Sequence, residues 1–189
     1  MYVMSASNTN EEHEIIRRCL GGEPDQFALL VDTYQSMAYN IAYRMLGDAD
    51  SAKDMAQESF IAAYASLDKF QYGSKFSSWL YRIVVNKCKD HMRAGRDMVQ
   101  VDEIADSIPS RGYTPEQTAS ARQTGDVIQA ALNSLPDAYR EVIVLKHIEE
   151  LDFQEIADIL GDSVNALKVR AHRGREMLRE LLEGMGAGL

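Results

Sequence analysis

Apolar residues along most of this chain recur at steps of three and four, and that period restricts it to packed helices. The series Phe27, Leu30, Val31, Tyr34, Met37, Ala38, Ile41 and Met45 lays one apolar stripe along a single helix face. No run alternates as a half-buried strand requires. The expected fold is therefore all-α, and breaks in the period divide it into two small helical domains joined by a flexible linker.

The first domain is expected over residues 1–96. A short helix, Glu12 to Leu20, stops at Gly21-Gly22, and Pro24-Asp25 opens the long striped helix. Gly47 suits a helix C-terminus and Asp48 the cap of the next helix, from about Asp50 to Leu67. That helix is expected to bury Ala52, Met55, Ala56, Phe60 and Tyr64. A loop around Gly73 leads to a fourth helix, Phe76 to Arg93. Residues 97–122 hold Pro109, Pro115, Gly112 and a serine-bounded stretch without a period, so they read as the linker. The second domain, 123–189, is expected to contain helices over Thr124–Leu135, Pro136–His147, Asp152–Leu160 and Val164 to about Glu183.

The net charge of −9 is unevenly spread. Residues 126–162 carry nine acidic and two basic side chains, and residues 163–189 carry three acidic and five basic. A chain charged in this way binds DNA weakly alone, because its own acids oppose the phosphates. The acidic 126–162 segment is also placed to dock on the basic 163–175 helix or on the first domain. The polar, acidic N-terminus offers no signal peptide and no apolar run is long enough to span a membrane, so a cytoplasmic chain without membrane insertion is expected. Cys19 and Cys88 lie far apart and form no CxxC pair, which suits two reduced, buried thiols.

Function is most legible from Phe153 to Arg175. Ala157, Gly161 and Leu167 have the spacing of a helix-turn-helix, with Ile156 and Leu160 as further core positions. A small residue lets the two helices cross closely, glycine permits the positive φ of the turn, and leucine packs the second helix back on the first. That second helix can lie in a major groove. Its stretch from Val164 to Arg175 holds Lys168, Arg170, Arg173 and Arg175 and no acid, with Asn165 and Lys168 near the end that reaches base edges.

A second basic face lies in the first domain. On an ideal helix Lys75, Ser78, Arg82, Asn86, Lys89 and Arg93 share one arc, backed by Phe76, Trp79, Leu80, Ile83, Val84 and Cys88. Beside a loop carrying Tyr72 and Phe76, such a face suits single-stranded nucleic acid, with cations tracking phosphates and rings stacking on bases. The bland alternative is that Phe76 and Trp79 are core and the charges merely solvated; for Trp79 the core is preferred.

Phe70 to Arg93, with its FSSWLYRIVVNKCKDHMR, resembles region 2 of extracytoplasmic-function sigma factors. So does the preceding AKDMAQESFIAAY, Ala52 to Tyr64. LPDAYREVIVLKHIEELDFQEIADILG, Leu135 to Gly161, resembles their region 4. The resemblance implies a sigma region 2 bundle, a linker and a region 4 helix-turn-helix. It implies a non-catalytic specificity subunit whose partners are core RNA polymerase, promoter DNA and an anti-sigma factor, with no cofactor, metal or small-molecule substrate. Carried over, Asp54, Gln57 and Glu58 face the polymerase clamp. Gln71, Tyr72, Gly73, Ser74 and Lys75 hold a flipped −10 base, and Lys75, Arg82, Asn86, Lys89 and Arg93 follow the non-template strand. Asn165, Lys168, Arg170, Arg173 and Arg175 meet the −35 duplex. The linker acids Asp97, Asp102, Glu103 and Asp106 are candidates to thread a basic polymerase channel. Two departures stand out: Asn165-Ala166-Leu167 replaces a Gly-Thr-Val-like run, and Ala171 and Gly174 are smaller than is common.

Two rivals remain open at this level. A stand-alone repressor or activator leaves the first basic face without a role. An enzyme would need more than Cys88 with His91, or His147 near Glu150, since zinc takes three or four ligands.

Overall fold

The computed structural model describes residues 6–100 and 124–186; most of the expected linker, with Asp102, Glu103 and Asp106, lies outside the described residues. Among the described residues all regular structure is helical. The first unit comprises α1 (Ala6–Leu20), α2 (Phe27–Leu46), α3 (Ala49–Ala65) and α4 (Phe76–Gln100). The second comprises α5 (Thr124–Ser134), α6 (Asp137–Ile143), α7 (Phe153–Leu160) and α8 (Val164–Gly184), with a wider π turn over Val144–Ile148 after α6.

Local chemistry sets most of the boundaries. A 3₁₀ turn at Pro24–Gln26 precedes α2, since proline at the first position needs no donated N–H. Gly47 closes α2 in the left-handed conformation (φ 74°), and its N–H donates to the Tyr43 carbonyl. The Asp48 carboxylate accepts from the Ser51 N–H at 2.8 Å, capping α3. Asp152 and Glu155 form a reciprocal capping box on α7, and the Ser163 hydroxyl accepts from the Ala166 N–H at the start of α8. Helix α4 continues past its expected end at Arg93 to Gln100.

The stripe on α2 is buried as its period requires, with Leu30, Ala38, Ile41 and Met45 essentially sealed. It packs against α3 and α4, whose Ala52, Phe60, Phe76, Leu80 and Val84 complete the core. Helix α1 is fastened by Tyr34, whose hydroxyl donates to the buried carboxylate of Glu12. One aromatic alternative is resolved and one expectation needs correction. Phe76 is fully buried at the head of α4 among Phe27, Tyr34, Phe70 and Trp79, so it offers no face to a base. Tyr64, expected inside, is 45% exposed and only edges against Phe27, because it lies near the rim of the α3 stripe.

In the second unit the helix-turn-helix forms as its spacing predicts. Ile156 and Leu167 are sealed, and Gly161 turns at φ 75° with its N–H donating to the Ala157 carbonyl at 2.8 Å. The small Gly174 also has its cause. A Cβ there would stand 3.0 Å from Ile143 Cγ1 and 3.2 Å from Tyr139 Cβ, so α6 and α8 approach only because that side chain is missing. We expect Gly174→Leu to destabilise the chain by about 1–3 kcal/mol through overpacking. Urea denaturation of the full chain measures this, and an unchanged midpoint contradicts it.

The two units pack on each other. Val142, Leu145, Ile156, Ile159, Leu167 and Ala171 join the buried cluster of the first unit. Leu132, Leu135, Ile143 and Val144 form a smaller cluster under Met177, Leu178 and Leu181. Cys19 and Cys88 are both buried and unpaired, and burial pushes the Cys88 thiol up to about 12. Among the described residues no helix is long and apolar enough to cross a membrane, and no group of three metal-ligating side chains converges.

Candidate nucleic-acid interface

Three groups of candidate residues occupy three places. On α3, Asp54, Gln57 and Glu58 are all exposed on one face, as positions three and four apart must be. Glu58 also accepts from Lys87 of α4 at 3.1 Å. Ile61, three residues after Glu58, lies on the same face and is 69% exposed, the barest large apolar side chain among the described residues. Sequence reading passed over it, although its spacing from Gln57 and Glu58 already placed it on the polar side.

The loop Gln71 to Lys75 is exposed throughout. It is a tight turn: the Ser74 N–H and hydroxyl both donate to the Gln71 carbonyl, at 2.9 and 2.8 Å. Tyr72 keeps 41% of its surface open. Lys75, Arg82 and Lys89 then run along α4, and each meets the second unit. Lys75 Nζ is 3.5 Å from Glu155 Oε1 of α7. Arg82 donates to the Asp158 carbonyl. Lys89 Nζ is 2.9 Å from Glu141 Oε2 of α6. Asn86 and Arg93 are exposed, and Arg93 pairs with Asp90 at 3.1 Å within its own helix. Three cations of this face thus meet two acids and a carbonyl of the second unit.

Glu141 sits at the centre of that contact, buried between Lys89 and Arg170. Burial pushes its carboxyl up, while the two cations pull it back toward ionisation. Nearby, the Tyr81 hydroxyl donates to Glu149 at 2.7 Å, which links α4 to the end of the π turn. Burial raises both groups. Gln129 of α5 donates to the carbonyls of Tyr43 and Arg44 and accepts from the Arg44 guanidinium at 3.0 Å, fixing α5 to the end of α2.

On α8, Asn165, Lys168, Arg173 and Arg175 are exposed, and Arg175 lies 3.4 Å from His172. Val169 shares their side and is 52% exposed. Arg170 behaves differently. It is partly buried, with Nη1 2.8 Å from Asp162 and 3.8 Å from Glu141. It is directed at the rest of its own unit, and it ties the recognition helix to the turn before it.

A helix-turn-helix with an open basic helix, joined to a helical bundle, defines the class: a two-unit helical DNA-binding protein. Comparison with known proteins agrees. Residues 30–97 match the family model for Sigma-70 region 2, and residues 125–178 match Sigma-70, region 4. The chain is 41% identical over 179 residues to the ECF RNA polymerase sigma factor SigW of Bacillus subtilis (strain 168), covering 90% of this chain and 96% of that one. It is 33% identical over 173 residues to the ECF RNA polymerase sigma-E factor of Escherichia coli (strain K12), covering 87% and 90%. Two solved structures are similar. One is the sigma factor RpoE in complex with the anti-sigma factor NepR from Bartonella quintana (TM-score 0.66, 26% identity, 83% of this chain and 96% of that one). The other is CnrH in complex with the cytosolic domain of CnrY (TM-score 0.65, 28% identity, 90% and 96%). The chain belongs to the ECF RNA polymerase sigma factors of the sigma-70 family.

Proposed function

We propose that this chain binds core RNA polymerase and directs it to promoters, as a cytoplasmic, non-catalytic specificity subunit under anti-sigma control. The observation that carries the proposal is the pairing of two cationic faces of different character on separate units. Helix α8 presents Asn165, Lys168, Val169 and Arg173 on a convex surface that fits the major groove of a −35 duplex. The exposed loop at Gln71–Lys75 and the cations beside it on α4 supply the aromatic ring and positive charge that suit a single −10 strand. Arg170 acts here as a positioning residue and Arg175 as a phosphate contact at the rim. Promoter DNA and polymerase are then the macromolecular partners, with no small-molecule substrate or cofactor.

The open α3 face fits a protein partner. Asp54, Gln57 and Glu58 supply charge complementary to a basic clamp helix, and Ile61 supplies an apolar anchor among them. Ile61→Asp is expected to weaken core-polymerase binding by about tenfold or more. Fluorescence titration of labelled protein with purified core measures it, and unchanged affinity contradicts this face as the contact. The function as a whole is tested by run-off transcription from genomic fragments with purified core polymerase. Promoter-specific transcripts that depend on this protein are expected; no stimulation on any fragment overturns the proposal.

Glu155 and Glu141 pair with Lys75 and Lys89, and Arg82 meets the Asp158 carbonyl, so packing engages part of the proposed −10 face. The proposal therefore includes an opening step, in which polymerase separates the two units. The relatives crystallised with NepR and CnrY make anti-sigma control of this chain a natural extension: such a partner would hold the packed arrangement.

A further inference from the structure

Helix α1 has no role in the sequence argument, yet it touches the loop proposed to capture the −10 base. His13 Nε2 donates to the Ser74 carbonyl at 3.2 Å, with the proton on that nitrogen. The same imidazole stands edge-on to Phe70 (5.6 Å between centroids, 62° between planes) and to Tyr72 (5.4 Å, 85°). One turn further along, the Arg17 guanidinium lies over the Tyr72 ring, 5.7 Å from its centroid. Arg17 is itself steadied by Glu14 at 2.6 Å. Phe70 in turn contacts Tyr72 at 5.7 Å and Trp79 at 5.5 Å, so the cluster is anchored in the core.

These contacts address the turn that the loop's own hydrogen bonds leave undetermined. Ser74 closes the turn onto Gln71, but those bonds fix neither the tilt of the turn against the bundle nor the plane of Tyr72. His13 holds the turn at its Ser74 end and blocks one side of Tyr72, and Arg17 covers a face of the same ring. Tyr72 still keeps 41% of its surface open. From this geometry we infer that α1 forms a wall of the −10 base pocket, with His13 as a positioning residue that sets the turn and Arg17 as the clamp on Tyr72. The inference rests on the proposed role of the Gln71–Lys75 loop.

The test uses holoenzyme reconstituted from purified core and full-length protein. The probe is the strongest promoter recovered in the run-off assay, with each −10 position permuted to all four bases. The readout is the ratio of open-complex rates between preferred and alternative bases. A fall in stability or polymerase affinity lowers all rates together and leaves this ratio unmoved. His13→Ala is expected to reduce discrimination at one position by about fivefold, the size of one lost hydrogen bond. His13→Gln, which keeps a donor at that reach, recovers most of it. Arg17→Ala, at an exposed site that does not threaten folding, is expected to lower it about two- to threefold. Tyr72→Ala serves as the control for the loop. If Tyr72→Ala loses discrimination while both α1 variants keep it, α1 is not part of the pocket and the inference fails alone. If none of the variants alters discrimination, the loop's role fails and takes the inference with it. A loss that His13→Gln leaves uncorrected overturns the hydrogen-bond role of His13.

Discussion

Arg140→Met is expected to destabilise the chain by about 3–5 kcal/mol and to loosen the packing of its two units. The guanidinium is nearly sealed and donates to the carbonyls of Leu132, Asn133 and Leu135 at 2.8, 2.8 and 2.9 Å. It also donates to the Met45 carbonyl of the first unit at 2.6 Å. Leu132 and Asn133 lie in the last turn of α5, and Met45 in the last turn of α2, where carbonyls lack helical partners. One cation therefore caps two helix C-termini from different units, with both dipoles pointing their negative ends toward it. Methionine fills much of the space but removes the donor to Asn133, Leu135 and Met45, while the Leu132 carbonyl keeps only the Leu135 N–H at 3.1 Å. Arg140→Lys keeps the charge and loses the fork, so an intermediate cost is expected. Denaturant melts followed by far-UV circular dichroism give the loss, and earlier unfolding of the second unit is expected in hydrogen exchange. A cost below about 1 kcal/mol would show that the carbonyls find other donors.

Lys75→Gln, Arg82→Gln and Lys89→Gln together are expected to act in opposite directions on the free and the polymerase-bound protein. In holoenzyme they remove three positive charges from the proposed path of the −10 strand. The slope of log affinity for a −10 single strand against log salt is then expected to fall by about two, at about 0.7 per phosphate contact. Open-complex formation at low salt falls by about a hundredfold or more on the same electrostatic grounds. In the free chain the substitutions remove the partners of Glu155, Glu141 and the Asp158 carbonyl, so the packing of α7 and α6 on α4 loosens. Salt titrations of holoenzyme binding and hydrogen exchange on the free protein read the two effects separately. An unchanged salt slope would move the −10 strand off this face.

Local features of this fold were legible in the chain because their causes are local. The α2 stripe, the Gly47 and Gly161 turns and the Asp48 cap depend on residues within one or two turns of each other. The helix-turn-helix followed from Ala157, Gly161 and Leu167 for the same reason. The acidity of residues 126–162 announced a basic partner, and two candidate partners were named. The structure uses both: Glu141 and Asp162 hold Arg170 of α8, and Glu141 and Glu155 hold Lys89 of α4 and Lys75 just before it. Which acid meets which base of the first unit was not legible, because it depends on register between elements more than fifty residues apart. Tyr64 was placed inside for a similar reason: it sits at the rim of an apolar stripe, where neighbouring helices decide which side is covered. Gly174 looked like a departure from pattern until Ile143 and Tyr139 supplied its steric cause. Arg140 carried no signal, since a lone arginine in an acidic stretch gives no hint of the carbonyls it will meet.

The central claim is that the packed chain pairs cations of its proposed −10 face with its own acids and must open to work. Cysteines at Lys75→Cys and Glu155→Cys place thiols at two positions whose longer side chains now meet at 3.5 Å, a gap a short cross-linker can bridge, while Cys19 and Cys88 stay buried. Joining them with a short, cleavable bis-maleimide locks α7 onto α4. Run-off transcription with purified core polymerase then measures the locked protein, the same protein after cleavage, and the unlinked double variant. The account predicts no promoter-specific transcript from the locked form and recovery to the unlinked level on cleavage. Initiation by the locked protein at the rate of the unlinked variant would contradict it.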